Sequence, residues 1–180
     1  LEFKNGNTDY TEIPAGQIIS TQQDPNVENG KWNWSRYPGM DVYFVGFDMT
    51  DETLGYPAGE KGTALRSALV MSSDKQAVNT QVNEGVNTIA DGVVPNTVSG
   101  YQPGADPYAE YDVAKAKEIV DGLGTLPTFD YWYNTEISGH QKIGEVLQAA
   151  WKQIGVDVKL QGFEWGTLLA KLTKREGQIF

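Results

Sequence analysis

The sequence predicts an α/β protein built on a mixed sheet flanked by helices. Three observations carry this. Residues 129–165 spell strand, helix, strand and the start of another helix within about 35 residues, the pattern of a βαβ unit. Helical apolar stripes and short apolar runs are interleaved along the chain, which fits α/β layering. At 180 residues with 39% hydrophobic residues, the chain is long enough for one domain with a proper core.

Taken in order, residues 1–20 hold a turn at Asn5-Gly6-Asn7 and a short predicted strand, Tyr10 to Ile13, stopped by Pro14. Residues 21–40 are polar and turn-rich. Within them Trp32 and Trp34 alternate as an aromatic pair, suited to packing on a sheet edge or to stacking on a sugar. Asp41 to Met49 is mostly apolar and predicts a strand in the middle of a sheet. Thr63 to Met71 predicts a helix with Ala64, Leu65, Ala68 and Leu69 on one face. Ser73 to Val82 predicts a second, opened by a capping box of Ser73 and Gln76 and ended near Gly85. Asp91 to Tyr111 is long, irregular and rich in Gly and Pro, as functional or surface-draped loops are. Asp112 caps a third helix, with Val113, Ala116, Ile119, Val120 and Leu123 turned inward.

The clearest signal lies in the βαβ unit. Phe129 to Tyr133 is an aromatic strand. After a polar turn, Ile143, Val146, Leu147, Ala150, Trp151 and Ile154 make one continuous helical stripe. A capping box of Ser138 and Gln141 is expected at its start, and Gly155 at its end, where a left-handed residue closes a helix. Val156 to Gln161 changes the period to two and predicts a strand with one buried face. Trp165, Leu168, Leu169 and Leu172 give a last short helix, and Gly177 to Phe180 begins another strand.

A parallel crossover of this kind brings the end of the first strand and the start of the helix to one rim, where open α/β sheets bind ligands. Asn134, Thr135 and His140 fall there. The helix N-terminus suits an anionic group. The same residues also suit a plain turn and the first turn of the helix stripe.

Bulk properties narrow the function. A net charge of −10 argues against nucleic acid, whose phosphates need a basic face. No apolar run is long enough to cross a bilayer. With no cysteine and a single histidine, disulfide frameworks, thiolate chemistry and common zinc clusters are absent. The sequence also lacks a phosphate-binding Gly-rich loop, a GxSxG elbow and a dinucleotide fingerprint. Two rivals to a small-solute binder stay open. One is a carbohydrate-binding module using Trp32, Trp34, Tyr131 and Trp132. The other is an enzyme fragment using two carboxylates about 5 to 9 Å apart.

Several blocks, in order and spacing, carry a resemblance over about residues 40–180. They are Val42-Tyr43-Phe44-Val45-Gly46-Phe47-Asp48, Leu65-Arg66-Ser67-Ala68-Leu69 with Ser73-Asp74-Lys75, and Gly92 to Pro95. Then come Tyr108 to Lys117, Tyr133-Asn134-Thr135 with His140, Trp151 to Val156, and Glu164-Trp165. Together they resemble the oligopeptide- and dipeptide-binding proteins, the solute-binding components of ABC importers. The resemblance implies one lobe of a two-lobed, periplasmic-binding-protein-like fold that closes on its ligand. Residues 1–20 then match the hinge-proximal tail of the first lobe and 21–180 the second lobe, with both chain ends expected to be cuts through a larger protein. It also implies a non-enzymatic, extracytoplasmic protein (periplasmic or a cell-surface lipoprotein), monomeric, without a cofactor or metal. Its partners would be a peptide and, through the whole protein, an ABC permease. A nickel complex, haem or a sugar on the same fold is the alternative ligand. The implied ligand-binding residues are Asn134, Thr135, His140 and Trp165. Asn134 would hydrogen-bond the peptide, His140 would lie near its carboxylate end, and Trp165 would pack against it.

Overall fold

The computed structural model describes residues 2–14, 16–104 and 110–180. Leu1, Ala15 and residues 105–109, which include Tyr108 and Ala109, lie outside them. Helices α1 (Ile18–Gln22), α2 (Pro25–Glu28), α3 (Gly59–Met71), α4 (Lys75–Asn83) and α5 (Val113–Leu123) precede β1 (Phe129–Asn134), α6 (Ser138–Gln153), β2 (Val158–Phe163) and α7 (Trp165–Thr173). A short 3-10 turn, Tyr56–Ala58, leads into α3.

β1 and β2 are parallel, in register from Phe129 opposite Val158 to Asn134 opposite Phe163. On the other side of β1, Ile179 forms a parallel bridge to Tyr131 and an antiparallel bridge to Phe47. The resulting order, Phe47, Ile179, β1, β2, is the expected mixed sheet. Because side chains alternate along a strand, the sheet presents two different faces. Phe129 and Tyr131 point to α6, where the Tyr131 and Trp151 rings meet edge-to-face at 6.1 Å. Trp132 and Phe163 point to the opposite face, where Lys171 of α7 sets its Nζ 5.0 Å from the Trp132 ring centre. α6 comes close to the sheet at Gly144. A methyl group there would stand 3.0 Å from Tyr131 and 3.2 Å from Leu160.

The core lies between α6, the sheet, α3 and α5. Trp151, Phe129, Leu54, Leu65, Leu69, Ile154, Ile179 and Val156 are its largest fully buried apolar side chains. The stripe of α6 packs inward as its spacing requires, and Gly155, at φ 90°, closes the helix with Val156 N–H donating to Trp151 C=O. The strand after it starts two residues later than the alternation suggested, at Val158. Asp112 does cap α5, accepting from Lys115 N–H at 2.9 Å.

A half-buried node ties the last residues to the rest. Asp51 accepts from the backbone of Thr53 and Leu54 and from Gln178 Nε2, each at 2.8 Å, while Gln178 Oε1 accepts from Asp130 N–H. Burial opposes ionisation of Asp51, but these hydrogen bonds outweigh it and hold the carboxyl below the ordinary value of 3.8.

Four expectations need correction. Tyr10 to Ile13 is not a strand: it is exposed chain with no pairing edge beside it among the described residues. Asp41 to Met49 is not a central strand either. Only its end reaches the sheet, where Gly46 and Phe180 exchange both backbone hydrogen bonds, while Tyr43 and Phe44 are exposed. An apolar run shows that residues avoid water on average, not which edge they will find. Neither capping box forms. α4 is capped by Asp74, which accepts from Ala77 N–H at 2.8 Å. Ser73 has turned away, donating to Leu69 C=O and accepting from the Trp151 indole. At α6 the cap position falls on Ile137, in extended conformation and without a side-chain acceptor. Asn134 has already turned the chain by accepting from Glu136 N–H, so Ser138 enters inside the first turn, and Gln141 donates to Glu145 instead.

Candidate functional site

Parallel register places the two strand ends side by side, since Asn134 pairs with Phe163. From Asn134 the chain turns into α6, and from Phe163 it passes through Glu164 into α7. Two helix N-termini therefore share the rim at the strand C-termini, the usual ligand edge of such sheets. All four expected residues belong to this edge.

Asn134, the last residue of β1, is 5% exposed. Its Oδ1 accepts from Glu136 N–H at 3.0 Å. That bond fixes the side chain, and among the described residues its amide nitrogen has no acceptor, which leaves two donors for other use. Thr135 is committed differently. Its N–H and its hydroxyl both donate to Phe163 C=O, at 2.9 and 3.2 Å. Thr135 thus locks the two strand ends together, and its hydroxyl hydrogen is already used.

His140 sits in the first turn of α6, its N–H bonded to Ile137 C=O. Next to it Gly139 is buried against α4, where a methyl group would meet Val82 at 3.2 Å. This close approach sets the height of the imidazole. Nε2 is buried and lacks a hydrogen-bonding partner among the described residues. Burial pushes the imidazole below its usual 6.5, which favours the neutral form. Trp165 opens α7 and is 48% exposed, a large aromatic surface presented to solvent at the rim. The arrangement offers amide donors, a neutral imidazole and an aromatic face: hydrogen bonding and packing. Among the described residues no group of three or more His, Asp or Glu is placed to hold a metal ion.

Sequence reasoning missed Tyr43. Its ring stands 5.6 Å from that of His140, with planes at 83°. A signal was available: adjacent Tyr43 and Phe44 in extended chain must point to opposite sides, so one core cannot take both. Of the other aromatic candidates, Tyr131 and Trp132 are buried and Trp32 and Trp34 half-buried. Trp32 meets Phe3 edge-to-face at 5.2 Å rather than a sheet edge, and Lys4 lies 5.8 Å from its centre. Trp34 buries its indole nitrogen. Tyr131 and Trp132 are each 5% exposed. These four rings do not form a stacking platform.

Comparison with known proteins gives a consistent result. Residues 1–180 match the family model for the middle region of bacterial extracellular solute-binding proteins, family 5. The oligopeptide-binding protein OppA of Bacillus subtilis is 29% identical over 189 residues, covering 99% of this chain and 33% of that protein. The dipeptide-binding protein of Escherichia coli is 27% identical, covering 89% of this chain and 29% of that protein. The structure of OppA from Burkholderia pseudomallei superposes with a TM-score of 0.78 at 25% identity, over 99% of this chain and 35% of that one. The chain thus spans about a third of the length of these relatives.

Proposed function

The chain belongs to the bacterial extracellular solute-binding proteins of family 5, and on that premise we propose that it forms the second lobe of a peptide-binding protein serving an ABC importer. Residues 21–180 make up the lobe, and residues 1–20 are the segment leading to it from the first. The whole protein works outside the cytoplasm, captures oligopeptides and delivers them to a permease. It performs no chemistry on them. Among the described residues no helix is long and apolar enough to cross a membrane.

The observation that carries this reading is the gathering of Asn134, His140 and Trp165 at one strand-end rim by the in-register parallel pair. Asn134 donates its free amide hydrogens to peptide carbonyls. His140 uses its unpartnered nitrogen near the carboxylate end. Trp165 packs its exposed ring on the peptide. Thr135 keeps the rim in shape. A peptide is already rich in backbone donors and acceptors, so a rim of neutral polar groups and aromatic surface suits many sequences. Binding is completed by the opposing lobe, and closure is a hinge motion stabilised by the ligand.

The test is calorimetric titration of the complete protein, beside this chain alone, with peptides of two to six residues. Micromolar or tighter binding by the complete protein, with little or none by the 180-residue chain, is expected, because half of the contacts belong to the other lobe. His140→Ala and Trp165→Ala in the complete protein should each weaken binding about tenfold, the equivalent of one hydrogen bond or one buried aromatic contact. Absence of peptide binding by the complete protein would refute the peptide assignment and direct the search to sugars, haem and metal complexes.

A further inference from the structure

The environment of His140 contains an arrangement that its role at the rim does not explain. A buried ring nitrogen without a partner is costly, and such groups mark places where water, an ion or a ligand completes the bonding. The ring packed against this imidazole comes from distant chain, Tyr43. Tyr43 is itself 70% exposed, so its ring is not there to fill the core. Its segment is anchored three residues further on, where Gly46 and Phe180 exchange backbone hydrogen bonds. Tyr43 therefore stands on an anchored ribbon beside the first turn of α6, touching the histidine while open to solvent on its outer side.

We propose that Tyr43 is a positioning residue for His140: its perpendicular ring holds the imidazole in one orientation and keeps Nε2 for a polar atom of the bound peptide. Edge-to-face packing is directional and restrains the turning of both rings. Tyr43 also screens the imidazole from water, in keeping with its neutral state. A neutral imidazole with its hydrogen on Nε2 donates to a carbonyl or a terminal carboxylate. The proposal rests on the reading of His140 as a ligand residue.

His140 is the only histidine, so its ring protons give unique signals in an NMR spectrum of the 180-residue chain. Tyr43→Ala should move these signals, by removing the ring current, and should shift the titration midpoint up toward that of a free imidazole. Tyr43→Phe, which keeps the ring, should leave both near wild type. Tyr43→Leu serves as the bulk-retaining control should the alanine variant fold poorly, and should move the signals as alanine does. In the complete protein, Tyr43→Ala should weaken peptide binding about tenfold and Tyr43→Phe should restore it. Unchanged histidine signals in both Tyr43→Ala and Tyr43→Leu would overturn the proposal. So would peptide binding as tight as wild type in Tyr43→Ala where His140→Ala is weakened. Full binding by His140→Ala would instead overturn the ligand reading of His140, and the ligand half of the proposal with it, while the NMR comparison still decides whether Tyr43 seats the ring.

Discussion

Replacing Trp151 with Phe probes the contact that joins α6 to the end of α3. Trp151 is 2% exposed, and its indole N–H donates to Leu69 C=O at 3.0 Å and to Ser73 Oγ at 3.1 Å. Phenylalanine has no such donor. The acceptors are not stranded, because Leu69 C=O also receives the hydroxyls of Ser72 and Ser73. The hydrogen-bond loss is therefore near the ordinary net value of about 1 kcal/mol, not the larger penalty of an orphaned group. The smaller ring leaves roughly 35 Å³ unfilled, and at about 24 cal/mol per Å³ this costs about 1 kcal/mol. Lost burial of the missing ring atoms adds about 1 kcal/mol more. The sum is about 3 kcal/mol. With a urea slope of about 1–3 kcal/mol per molar, the unfolding midpoint should fall by about 1–3 M, followed by circular dichroism. Ser73→Ala in the same background isolates the shared bond, with an expected coupling of about 0.5–1 kcal/mol. A midpoint change below about 0.2 M, or additive single and double variants, would refute the account of this contact.

Two further predictions concern the buried Tyr131 and the start of α5. Burial pushes the Tyr131 hydroxyl up to about 12, from 10. Folded-state stability from this group is intact below about pH 10, where both states keep the proton, and is lost between about 10 and 12 as the unfolded chain ionises first. The loss amounts to about 3 kcal/mol. In an ultraviolet titration, a component ionising near 12 should be present in the wild type and missing from Tyr131→Phe; identical titration curves for the two would contradict this. At the start of α5, Asp112→Ala removes the acceptor for Lys115 N–H and should cost about 1 kcal/mol in urea unfolding, whereas Asp112→Asn should cost little. Equal losses for both would point to charge rather than the capping bond.

What could be read in the residues follows the range of the forces involved. The α6 stripe, the Gly155 closure, the Asp112 cap and the alternation in β2 all depend on groups within a turn or two of one another. Their pattern is complete in the local sequence, and the structure keeps them. The rim follows at one remove: a strand, a helix and a parallel strand leave few ways to join, so Asn134, Thr135, His140 and Trp165 arrive at one edge once β1 and β2 pair.

Contacts between distant residues were decided only in the folded chain. Ser73 has the local credentials of a cap, yet Trp151, 78 residues away, engages its hydroxyl, and Asp74 caps the helix. Asp41 to Met49 has the composition of a buried strand, yet only the part that meets Phe180 and Gln178 pairs. Tyr43 lies against His140 because that ribbon is anchored at Gly46 beside the sheet. The physical reason is common to these cases. Hydrophobic burial rewards leaving water without specifying a partner, and a hydrogen-bonding group satisfies itself with whichever acceptor packing brings nearest. Local pattern therefore determined which elements form, and tertiary packing determined which of their side chains were left free at the rim.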